Sequence, residues 1–177
     1  MGLFNRKKRV SADGFALEIC RLIALDTLDG PESLDARFRT LGFQSHVPDD
    51  RYFAETVVVG AFPYDVILAL DHGDSAVPVR QRLREMLLTG LNGRRREIGS
   101  PEVAWDGWNR LLEQRFREYS SALQSRLGPE GWQAASVSAA TNITGSPDMG
   151  VAMAVAIHFA GTMKVMRPAL QSYSIQG

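Results

Sequence analysis

The sequence predicts an all-α fold, a single-domain bundle of about six or seven helices. Three observations predict it. Apolar residues recur every three or four positions across 101–127. Gly-Pro and Gly-Ser-Pro breaks at 128–129 and 145–147 separate the elements around that segment. The stretch Asp148–Met166, DMGVAMAVAIHFAGTMKVM, carries no charge between Asp148 and Lys164, and small residues recur through it. A helix apolar on all sides belongs inside a protein, so this stretch is expected as the central helix. Its apolar part, Met149–Met163, falls short of the ~20 residues a membrane span needs, and His158 interrupts it.

The totals fit one soluble domain. The chain has 177 residues, 45% hydrophobic and 23% charged. Its 20 basic and 20 acidic side chains cancel, which gives no bias toward nucleic acid. A single cysteine, Cys20, allows no internal disulfide and suits a reducing compartment, so a cytoplasmic location is expected. No apolar segment of secretory-signal type follows the basic start. Gly2 lacks the Ser or Thr at position 6 that myristoylation favours.

Residues 1–10 are expected as a basic tail, 11–172 as the helical domain, and 173–177 as a second tail. The first helix should begin at Ser11 or Asp13 and run to about Leu28, with Phe15, Ile19, Leu22 and Ile23 inward. Asp29-Gly30-Pro31 ends it. A short helix over Glu32–Leu41 follows, with Gly42 as its cap. Residues 49–73 are ambiguous, because short apolar runs fit helix and strand alike. Two helices, about 50–61 and 63–71, broken at Phe62-Pro63, are the first reading. A small two-stranded element near 56–71, giving an α+β fold, is the alternative. Val77–Leu88 reads as a helix ended by Gly90, Asn92 and Gly93, with Arg94, Arg95 and Arg96 in the loop beyond.

Over 101–127, Ser100 can cap a helix and Pro101 suits its first position. Trp105, Trp108, Leu112, Phe116, Tyr119, Leu123 and Leu127 then form one seam. Gly128 ends it and Pro129 opens a helix to Thr144. Pro168 ends or kinks the last helix, which starts after Asp148.

Few residues carry chemistry. His158 shares a helix face with Gly150, Ala154 and Gly161, whose small side chains leave room for a flat cofactor such as haem, or for a packed neighbour. Asp71, His72 and Asp74 could hold a divalent metal, or form a polar turn around Gly73. His46 reads as a loop residue. Cys20 lies among apolar neighbours and reads as an inert thiol. The Arg94–Arg96 cluster could meet an acidic partner, and Trp132, beside Gly131, could mark an interface. Leu3, Phe4, Arg6, Lys7, Lys8 and Arg9 could touch an anionic membrane surface weakly. There is no Glu-x-x-His pair, phosphate loop, dinucleotide fingerprint or nucleophile elbow. The expected function is a non-catalytic helical module that binds another protein or itself, as an accessory subunit of an assembly. A cofactor-binding protein or enzyme built on His158 is the second expectation. A peripheral membrane protein held by its N-terminus is the third.

Overall fold

The computed structural model describes residues 7–31, 33–42, 50–126 and 128–176. Among them run β1 (Lys8–Ser11), α1 (Ala12–Ala24), a π-helical turn (Leu25–Asp29) and α2 (Leu34–Thr40). Then come α3 (Asp50–His72), a 3-10 turn (Gly73–Ala76), α4 (Val77–Glu97), α5 (Trp105–Gln124), α6 (Pro129–Thr144), α7 (Met149–Gln171) and β2 (Tyr173–Gln176). The fold is all-α with one small parallel two-stranded ribbon.

That ribbon is not where the alternative reading placed strands. Residues 56–71 lie within α3, and the strands come from the two segments expected as tails. Lys8 pairs with Tyr173 and Ser11 with Gln176. The ribbon is anchored by side chains: Tyr173 stacks 5.1 Å from Phe15, and Val10 and Ile175 pack against the core. Ser11 also caps α1, its Oγ accepting from the Gly14 N–H at 3.1 Å.

The centre of the fold is α3, not α7. Residues 54–64 are buried without interruption. A helix surrounded on every side shows no 3.6-residue pattern, which is why this segment reads ambiguously. Pro63 lies inside it and does not break it. A proline in a helix interior costs about 3 kcal/mol. Phe62, Tyr64, Ile67 and Leu68 are all fully buried around it, and each such burial contributes about 1.5–3 kcal/mol. Packing therefore outweighs the proline.

Phe62 is the hub of an aromatic cluster. Its ring lies 5.3 Å from Tyr119, 5.6 Å from Phe159 and 6.2 Å from Trp132. These contacts join α3 to α5, α6 and α7. Trp132, expected as a surface residue, is half-buried here, 5.5 Å from Phe159. At the α5–α6 corner a Cβ on Gly131 would stand 2.3 Å from the Leu123 carbonyl oxygen, so only glycine lets the chains approach so closely.

Two boundaries differ from expectation. Helix α4 continues through Gly90 and Gly93 to Glu97, so Arg94–Arg96 form its last turn rather than a loop. Cations are favourable there because the helix dipole is negative at that end. Helix α5 starts at Trp105, because residues 101–104 run extended alongside α4. The Asn92 side chain holds them there. It donates to the Val103 carbonyl at 3.0 Å and accepts from the Val103 N–H at 2.8 Å.

Candidate functional site

An open cleft of about 470 Å3 lies between α7 and the segment formed by the π turn and α2. Leu25 and Val165 stand on its apolar rim, Asp26, Arg37 and Thr162 are the polar side chains of its lining, and His158 lines it as well. Of the four residues expected to surround a cofactor, only His158 and Gly161 line it. Ala154 is buried in the core, and Gly150 sits against Leu41.

His158 is held from α3. A ring N–H bonds to the Gly60 backbone, and burial lowers the pKa of the imidazole, so the ring is neutral. Its Nε2 is sealed from solvent and has no hydrogen-bond partner. That geometry does not fit haem. An axial nitrogen must be open to the iron, and this one is closed off from the cleft. Asp26 accepts a 2.6 Å bond from the Tyr64 hydroxyl, whose pKa burial pushes up strongly.

Gly60 decides how close α3 can come to the π turn. A Cβ at this position would stand 2.0 Å from Thr27 Oγ1 and 3.0 Å from Thr27 Cγ2. Thr27 is fully buried, and its hydroxyl has no partner. One contact set thus links Thr27, Gly60 and His158. On the other side of the π turn, Thr27 and Leu28 line a second, apolar cleft of about 290 Å3. Cys20 lines this cleft too. Burial raises its thiol pKa, which keeps it protonated and unreactive.

The Asp71-His72-Asp74 group is not a metal triad. Arg167 of α7 clamps both oxygens of Asp71 at 2.8 Å and holds its carboxyl below the usual range. His72 bonds to the Leu170 backbone, packs edge-on to Phe15 at 5.4 Å, and its Nε2 is buried without a partner. Asp74 lies exposed in the 3-10 turn after Gly73, whose φ is +51°. Among the described residues no three His, Cys, Asp or Glu side chains gather as a metal site.

The arginines at the end of α4 are engaged locally. Arg94 pairs with Glu97 and Arg96 with Glu102, while Arg95 Nε donates to the Pro101 carbonyl. Lys7, Lys8 and Arg9 are exposed, and Lys8 sits over the Tyr173 ring at 5.4 Å. Leu3, Phe4, Arg6 and His46 lie outside the described residues.

Sequence reasoning missed two features. The first is a buried ion pair. Arg115 of α5 grips both oxygens of Glu55 on α3 and extends to Glu118, which also accepts from Asn142 of α6. A lone Glu55 within an apolar run was the available signal. The second is the outer face of α7. Val151, Val155 and Phe159 fix the helix in the core. On the other side Met149 is 70% exposed, Met153 63%, Ile157 48% and Val165 62%. Ala160, Gly161 and Lys164 are exposed between them.

Helix α7 runs on past Lys164 to Gln171. By length and composition it and the α3–α4 stretch are long and apolar enough to cross a membrane. The α3–α4 window is 72% buried inside the fold, the α7 window 33%. The chain matches no protein-family model, no curated protein and no solved structure.

Proposed function

We propose that this protein is a non-catalytic helical binding module whose recognition surface is the outer face of α7. The observation that carries the reading is that face. Four large apolar side chains stand in solvent on a helix whose other side is locked into the core. A contiguous apolar patch of this kind marks an interaction site more often than chance exposure. The candidate reactive groups of the chain support binding over catalysis. The His158 Nε2 is sealed, Asp71 is clamped by Arg167, and the Cys20 thiol is held protonated. The test compares stoichiometric partners recovered by the full chain and by Met153→Glu. The variant should lose the partner while its helical circular dichroism is unchanged. Equal recovery by both forms refutes the reading.

A second reading rests on the cleft itself, which has the volume of a small-ligand site and a mainly apolar lining with a few polar side chains. It predicts an extra small-molecule mass in gentle native mass spectrometry. His158→Ala should lose that mass without unfolding. Retention by the variant, or no mass at all, removes it.

A further inference from the structure

We propose that the partner of the α7 face is a second copy of this chain, packed antiparallel through α7. This rests on the reading of α7 as the recognition surface, and it names the occupant. Area is the first argument. The exposed fractions of Leu25, Leu41, Met149, Met153, Ile157 and Val165 correspond to about 600 Å2, the upper end for a patch on a monomer. Pairing two copies buries about 1,200 Å2, the lower bound of stable specific interfaces.

Shape is the second argument. The stripe is bulky at its N-terminal end, with Met149, Met153 and Ile157, and small in the next turn, with Ala160 and Gly161. A Cβ added to Gly161 meets nothing within 4 Å, so nothing in the monomer fills that side. An isologous interface places each residue twice, related by a twofold axis. With the axis near Ile157, antiparallel helices set Met153 of one copy against Ala160 and Gly161 of the other. The bulky half of each stripe then fills the small half of its mate.

Charge is the third. Lys164 is the one charged side chain in the exposed stripe. A parallel pair would bring the two Lys164 ammonium groups together. The antiparallel pair separates them and lays each beside Gly150 of the other copy. An apolar stripe whose single charge avoids its own image fits a copy of itself.

Sedimentation velocity of the full chain from about 1 to 100 µM tests this. The expected result is a monomer–dimer equilibrium. Met153→Glu buries a carboxylate at the centre and should weaken it by about 100-fold. Leu17→Glu, an exposed position on α1, should leave it unchanged. Ile157→Cys lies next to the axis and should form an intermolecular disulfide on oxidation, whereas the wild type with Cys20 alone should not. A monomer throughout the range overturns the proposal, as does a dimer indifferent to Met153→Glu. A monomeric protein whose Met153→Glu variant loses a different protein partner overturns self-pairing and keeps the binding-module reading. A monomer that binds anionic lipid vesicles through this face overturns both.

Discussion

Replacing Gly60 by alanine tests how α3, the π turn and the cleft are built together. In an exposed helix the change would stabilise by about 1 kcal/mol, because alanine has the better helix propensity. Here the new methyl would lie 2.0 Å from Thr27 Oγ1 and 3.0 Å from Cγ2. Thr27 is fully buried, so its side chain has little room to turn away from the new methyl. Overpacking a tight core costs about 1–3 kcal/mol, and a contact this short belongs at the upper end or beyond. The net expectation is a loss of about 2 kcal/mol, a fall in Tm of about 4–8 °C for a chain of this size. Thr27→Ala removes both γ atoms and a buried hydroxyl that has no partner, leaving Cβ at 3.1 Å. In that background Gly60→Ala should cost less than about 1 kcal/mol. Urea unfolding of the four proteins gives the coupling energy directly. If Gly60→Ala is neutral or stabilising, or costs the same in both backgrounds, the close approach described here is wrong.

Three further outcomes follow from the structure. Arg115→Leu strands the Glu55 carboxylate in the core and should cost about 3–5 kcal/mol by urea unfolding. Glu55→Leu/Arg115→Leu should recover much of the loss, and a double variant no better than the single would refute the pairing. His72 and His158 both have pKa values lowered by burial from 6.5, so the unfolded chain binds protons that the folded one does not. Their contribution is complete above 6.5 and is lost as pH falls from there toward the folded values. The urea midpoint should therefore drop between about pH 7.5 and pH 5.5, and less steeply in His158→Gln; a flat profile refutes it. Truncation after Gln171 removes β2, so limited trypsinolysis should cut at Lys8 and Arg9 faster than in the full chain. Equal rates would show that the ribbon does not protect β1.

The sequence by itself determined the elements that announce themselves locally. Gly128-Pro129 and Asp148 start α6 and α7 at the expected places, because a glycine at φ 61°, a proline at the first position and an aspartate cap act within a few residues. The Trp108–Leu112–Tyr119 seam was legible because α5 has one buried and one solvated side. What only the tertiary structure decided is which helix is central. An apolar stretch records that burial is favourable but not which neighbours provide it. The stretch of α7 before Lys164, which is uncharged, therefore read as the centre, yet the helix lies at the edge with Met149, Met153 and Ile157 in solvent. The aperiodic 50–72 segment, read as two pieces, is one buried helix that carries Pro63 through its core. The cleft was legible only in part. His158 stood out as a lone polar group in an apolar run. Thr162 follows it by one helical turn, but Asp26 and Arg37 meet it from a segment far away in sequence, and the π turn has no local signature. Whether a polar side chain is sealed, clamped or open depends on atoms from several helices at once, and those distances exist only after the chain has packed.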